Sequence, residues 1–463
     1  MRTYVDVAAV RIQRWLGRSR TLAGRRHASA ALAEATSAEV IDKLIADLPD
    51  VHRNTEAGDV DGVVNLEVPG PEHAEPAARA CLAHLRARLP AVELSAVWGQ
   101  GDDYLTAYAK AIKPRLRTRQ VITDLPAVAD FPPLATCDLC RADAAVLVRP
   151  QRDNPERTER VCADCRMRDE HPGGRRAGPE KRLREHLGEG KFADTFADLA
   201  RLPVTCNART EELSGTGNTQ LATVYADGNA IGDLMDKAAQ YGTTDKAGLV
   251  HQIDQANLDA VCEAVLDFVD TDRSPFLPLT PHIMAGDDLL VSLPAAAGWP
   301  FVTRYLRLYT AKLTALGADL HLKVPPSVSA GIVISHATDP FAETVTHAEH
   351  LLRTAKRAVR GSAASIAWLD LTADGPHPPP NRPVLTLDTL TGVLDQPLRR
   401  LAALPASQRS TLAGLAIASD RDARLTEQIR RLDLTEVTPF LNPDPALGGL
   451  GLTDALRLVR WYA

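Results

Sequence analysis

Apolar residues recur along this chain in two rhythms. In RTYVDVAAV (2–10), GVVNLEV (62–68) and VELSAVWG (92–99) they crowd or alternate over short runs, as strands do, whereas VRIQRWLGRSRTLAGRRHASAALAEAT (10–36) and EPAARACLAHLRARL (75–89) space them three and four apart, as amphipathic helices do. The alternation predicts an α+β domain with helices on one side of a sheet over residues 1–130, closed by the breaker FPPLAT. A second unit, residues 216–378, starts with QLATVYADGNAIGDLMDKAAQYG, a strand running into a helix. It continues with the helix ANLDAVCEAVLDFV, the hairpin HIMAGDDLLVSLP, the helix FVTRYLRLYTAKLTAL, the strand PSVSAGIVISH and the helix FAETVTHAEHLLRTAKRAV. That order is β-α-β-β-α-β, the ferredoxin-like pattern. From 379 to 463 the periodic segments are helical and predict a small bundle.

Composition narrows the class without naming a function. With 463 residues, 45% hydrophobic and 24% charged, the chain is expected to fold into several globular domains. The net charge of −6 argues against binding nucleic acid through bulk electrostatics. A local basic stretch, Arg175-Arg176 to Lys181-Arg182-Leu183-Arg184, reads as a solvated linker or as a phosphate contact, with the first favoured. Asp6, Arg11 and Arg14 interrupt any apolar signal core, and no apolar run reaches the roughly 20 residues of a membrane span. A cytoplasmic protein, without a membrane, is the expectation.

The seven cysteines are then not read as disulfides. Cys137 and Cys140 form CDLC, Cys162 and Cys165 form CADC, and two such knuckles can offer four thiolates to one tetrahedral structural zinc, a redox pair or chance spacing being the alternative. Residues 131–215 thus read as a zinc-binding module and linker helix. Cys81, Cys206 and Cys262 stand alone and read as core residues.

The hairpin Ala285-Gly286-Asp287-Asp288 carries the candidate chemistry. Alone, a Gly-Asp-Asp turn is more often structural, because glycine and aspartate suit tight turns for local reasons. Asp227 changes the weighing. It closes the first strand of the same unit, which in this topology runs beside the hairpin, so three carboxylates can meet at one sheet edge. Oxygen-only ligands fit magnesium or manganese, and two such ions suit nucleotidyl transfer. Gly228 and Gly232 flank a turn into a helix whose N–H groups can receive a triphosphate. Lys356 can reach a phosphate or remain solvated, and Ser329 can bond a base edge or a backbone group in the core.

Together these residues resemble the large palm-domain subunit of type III CRISPR effector complexes, a relative of adenylyl and diguanylate cyclases. The family's GGDD hairpin looks like Ala285-Gly286-Asp287-Asp288. Its Ala-Asp-x-Asp-Asn-Leu-Gly stretch looks like Ala226-Asp227-Gly228-Asn229-Ala230-Ile231-Gly232, and its Ser-Ala-Gly strand and Ala-Lys helix look like Ser329-Ala330-Gly331 and Ala355-Lys356. The resemblance implies two palms, the first non-catalytic, with an intervening zinc module and a C-terminal helical domain. It implies catalysis by Asp227, Asp287 and Asp288 with two Mg or Mn ions, and nucleotide contacts from Gly228, Asn229, Gly232, Gly286, Ser329 and Lys356. The implied activity is synthesis of cyclic oligoadenylates from ATP in antiviral defence. Guide RNA and other effector subunits, or copies of the chain itself, are the implied partners.

Two departures bear on that expectation: Ala285 replaces the first glycine, and Asn229 stands where the family often has a second aspartate. No HD nuclease pair is recognisable before the first palm, so a reduced form without DNA cleavage is expected. A non-catalytic scaffold for a guide-RNA complex and a cyclase acting on a single nucleotide are the alternative readings.

Overall fold

The computed structural model describes residues 1–19, 21–126, 135–151, 154–171, 178–188, 190–204, 218–241, 246–269, 274–416, 421–434, 438, 440–443 and 448–462. Cys206, Arg175 and Arg176 lie outside these residues. The first sheet is built from β1 (Arg2–Val10), β2 (His52–Arg53), β3 (Val63–Val68), β4 (Glu93–Gly101) and β5 (Ile122–Asp124). Their order is β2-β3-β1-β4-β5, with β1 antiparallel to both β3 and β4. The alternation in β3 and β4 turns Val64, Leu66, Val68, Leu94 and Ala96 into one core. The helix Pro71–Arg88 covers that face with its small residues Ala74, Ala77, Ala78 and Cys81, which let it lie close to the sheet.

The second sheet is larger than the sequence pattern predicts. It contains β8 (Gln220–Asn229), β9 (Thr280–Ala285), β10 (Asp288–Pro294), β11 (Ser327–His336), β12 (Ser365–Asp370) and β13 (Leu385–Thr386), in the order β13-β12-β11-β8-β10-β9. The first four in chain order form the ferredoxin-like core. β12 adds in parallel to β11 through the crossover helix Phe341–Val359, and β13 caps it. SIAWLD carries no period-two signal in the sequence, because all six of its residues are buried.

Between the sheets lies a ribbon of β6 (Leu147–Pro150) and β7 (Thr158–Val161), followed by the helix Ala163–Glu170. It docks on the first palm: Trp15 Nε1 donates to Asp164 Oδ1 at 2.8 Å, and Arg168 Nη2 donates to the Trp15 carbonyl at 2.8 Å. The linker helix Gly178–Leu187 is tied to the same palm by a buried Arg26–Glu180 pair at 2.5 Å. Lys113 of the first palm pairs with Asp236 of the second.

The C-terminal helices do not form a core of their own. Leu398, Leu401, Leu456 and Tyr462 join the core of the second palm, where Trp299 meets Trp368 and Tyr462 edge to face. Cys81 and Cys262 are buried core residues. Among the described residues no helix is long and apolar enough to cross a membrane.

Candidate functional site

The hairpin tip forms because one residue there is free to take a left-handed backbone. Gly286 has φ +58°, and a Cβ on it would meet nothing within 4 Å. Ala285 pairs with Asp288 as ordinary strand and has no positive φ. An alanine is therefore tolerated where the family has its first glycine. Leu289 pairs with Ala226, so the register carries Asp288 alongside Asp227 at the end of β8. Asp287 and Asp227 stand within hydrogen-bonding reach. A Cβ at Gly228 would lie 3.0 Å from Asp287 Oδ2 and 2.5 Å from Ile231 Cγ1, so glycine there leaves Asp287 its place.

The three carboxylates strain against one another. Burial first, then the charges of Asp227 and Asp288, push the Asp287 carboxyl well above its ordinary range. Burial, and then Asp227, push Asp288 up to about 7, with Lys356 acting the other way. Lys356 Nζ donates to Asp227 Oδ2 and, at 2.8 Å, to the Gly228 carbonyl. One ammonium faces three acids. Among the described residues only the cysteine cluster brings three or more metal-ligand atoms within 4.8 Å of one another, so the aspartates share a region without converging on one point. The donor set is all oxygen with uncompensated negative charge, which fits hard divalent cations and no soft metal.

The remaining sequence candidates divide. The helix Ile231–Tyr241 starts directly after β8, and Gly232 on its first turn is exposed with open space around it. Ala230, at φ +60°, makes the sharp entry into that helix. Ser329 and Asn229 point inward instead. Asn229 Nδ2 donates to Ser327 Oγ and Ser329 Oγ, each at 2.9 Å, and Ser329 Oγ lies 2.8 Å from Ser365 Oγ. Both side chains are buried, so the bonded core serine describes Ser329, and Asn229 ties β8 to β11.

Other residues at the tip were not singled out from the sequence. Asn257, wholly buried on the helix Lys246–Leu266, donates to the carbonyls of Gly286 at 2.9 Å and Asp288 at 3.1 Å. Asp254 accepts from the Gly286 N–H at 2.9 Å. Arg182 pairs with Asp254 at 2.5 Å and donates to the Met284 carbonyl at 2.6 Å, so that part of the expected solvated linker is structural. Their signal was faint: Asn257 occupies the apolar stripe of its helix four residues after Ile253. Beside the tip opens a cavity of about 690 Å³ lined by Arg182, His251, Asp254 and Gly286, with Asp59 and Asp61 from the first palm.

The cysteines form a second centre. Sγ atoms of Cys137, Cys140, Cys162 and Cys165 lie within 4.8 Å of one another, and Cys140 Sγ is 3.8 Å from Cys162 Sγ. Sulfurs held about 2.3 Å from a tetrahedral ion stand about 3.8 Å apart, so the cage has the size of a zinc site. Hydrogen bonds from Cys162 and Cys165 favour a thiolate at Cys140 and hold its pKa well down, and its presence pushes the other two up.

Known proteins bear on the second sheet and on the fold as a whole. The family model for the Cas10/Cmr2 second palm domain matches residues 220–364. No curated protein matches in sequence. In fold, the chain is similar to a Csm1–Csm4 cassette in complex with cA4, with TM-score 0.55 and 11% identity over 99% of this chain and 69% of that one. It is similar to the Csm1–Csm4 subcomplex of a type III-A CRISPR-Csm interference complex, with TM-score 0.56, 13% identity and the same coverage. Csm1 of T. onnurineus gives TM-score 0.53 and 15% identity, again over 99% of this chain and 69% of that one. Residues 220–364 thus match the Cas10/Cmr2 second palm domain, and the chain as a whole shares its fold with Csm1 of type III CRISPR complexes.

Proposed function

We propose that this chain is a metal-dependent nucleotidyltransferase that joins ATP into cyclic oligoadenylates. The observation that carries the reading is the gathering of Asp227, Asp287 and Asp288 at one sheet edge, where the strand register sets Asp288 alongside Asp227 and the hairpin turn adds Asp287. Solved relatives hold cA4 and AMPPNP, which agrees with ATP as substrate and a cyclic product. Two Mg or Mn ions held by the three carboxylates would supply hydroxyl activation and charge neutralisation. The protein's own part is to hold the acids close, to offer helix N–H groups at Ile231 and Gly232 to phosphate, and to keep Lys356 within reach of the reacting phosphates once a cation takes Asp227.

The direct test incubates the purified chain with ATP and Mn²⁺, alone and within a guide-RNA complex containing a Csm4-like partner, and identifies products by mass spectrometry. Cyclic adenylates are expected. Product from the chain alone would assign it to a stand-alone branch, and product only in the complex would assign RNA activation. Absence of product in both leaves the scaffold reading.

The cysteine cage is proposed to hold one structural zinc per chain, fixing the junction between the palms and taking no part in chemistry. Metal analysis should return one zinc, lost when Cys162 and Cys165 are both replaced by serine. Zinc retained in full by that variant would refute the site.

A further inference from the structure

Beyond the strand pairing of its arms, the hairpin is held at its tip by two helices behind it. Strand pairing ends at Ala285 and Asp288, and the two residues between them, Gly286 and Asp287, lie outside the ladder. A free two-residue turn would let Asp287 wander. Among the described residues, the side chains that bond the backbone of this turn from outside the sheet are Asn257 and Asp254, which stand on one face of the helix Lys246–Leu266, three residues apart.

We propose that Asn257 is a positioning residue that sets the geometry of Asp287 and Asp288, with Asp254 and Arg182 extending the clamp to the linker helix. The inference rests on the reading of the hairpin as the metal-binding edge, but its core claim concerns the hairpin alone. Asn257 uses both amide N–H bonds on the carbonyls that bracket Asp287, and its amide oxygen accepts from Tyr305 Oη at 2.9 Å, so its orientation is fixed from the opposite side. Tyr305 is itself buried on the helix Ala295–Leu316. A buried side chain that makes three such hydrogen bonds cannot swing without giving up several of them. Arg182 joins the clamp through Asp254 and the Met284 carbonyl, while Glu180, two residues earlier on the same helix, is anchored to Arg26 of the first palm. These bonds form one continuous chain from the first palm through the linker helix to the turn that carries the acids.

Arg182 and Asp254 also line the cavity, so their loss would mix positioning with ligand contact. Asn257 does not line it, and the test belongs there. Asn257→Asp keeps the shape, removes both donors and sets an acceptor against two carbonyls. Amide hydrogen exchange of the 282–292 peptide is expected to speed up at least about tenfold, the size of one net hydrogen bond, while that of 327–336 stays within about twofold. Manganese affinity, read by electron paramagnetic resonance, should weaken by about tenfold or more in the same variant. The exchange experiment needs neither metal nor ATP: faster hairpin exchange in a protein that never binds manganese upholds the clamp and refutes the metal reading. Unchanged exchange in a folded Asn257→Asp protein overturns the clamp. If that variant does not fold, Tyr305→Phe, which removes one hydroxyl and leaves Asn257 in place, should speed exchange in 282–292 alone by about two- to fivefold, and no change there overturns the proposal.

Discussion

Replacing Asp287 and Asp288 together by alanine is expected to abolish nucleotide product while leaving the fold intact. In the proposed mechanism these acids hold the reacting ions, and their loss would remove both hydroxyl activation and charge neutralisation, so turnover should drop by at least about a thousandfold. Stability should hold or rise slightly, because the pair is repulsive: burial and mutual charge keep both carboxyls above their ordinary range. A merely polar turn would respond otherwise, with a cost of at most about 1 kcal/mol and activity nearly unchanged. Asp227→Ala should lose activity alike but behave differently in stability, since it leaves Lys356 with only the Gly228 carbonyl as acceptor. Product assays and melting curves on the two variants separate these cases. Near-normal product from the double variant would remove the hairpin as the catalytic centre.

What could be read from the sequence follows from what leaves a local trace. The hairpin was legible because a glycine and two acids interrupt two apolar runs, and the zinc cage because paired knuckles repeat a spacing. Asp227 was legible through topology: once four strands are ordered β-α-β-β-α-β, the end of the first must adjoin the hairpin. β12 was not, because a strand buried on both faces loses its alternation. Nor was the inward turn of Asn229 and Ser329, since a polar side chain bonded to its neighbours spells the same in sequence as one facing a ligand. The clamp at Asn257 joins residues about thirty positions apart through backbone carbonyls, which carry no residue identity at all. The shared core of the C-terminal helices and the second palm was hidden for a related reason: an amphipathic helix shows that it has an apolar face, but not what that face meets.

The same acids make the stability of the metal-free protein depend on pH in an unusual direction. Asp288 stands near 7 against an ordinary 3.8, and Asp287 is also shifted well upward. At pH below about 4 the folded and unfolded chains both hold these protons, so the contribution to stability is fully present. Between there and about 7 the unfolded chain has released protons that the folded chain keeps, so stability falls as pH rises through the folded value. The melting temperature of chelator-treated protein, measured against the Asp287→Ala/Asp288→Ala variant so that other groups cancel, should therefore decline from pH 5 to pH 8. Manganese should reverse the decline, because it binds the ionised acids and competes with protons: the gain approaches about 2.7 kcal/mol at a hundredfold excess over Kd and should be larger at pH 8 than at pH 5. The variant should show neither the slope nor the rescue. Parallel curves for the two proteins, with no response to manganese, would mean that Asp287 and Asp288 are not shifted upward and that the hairpin holds no ion.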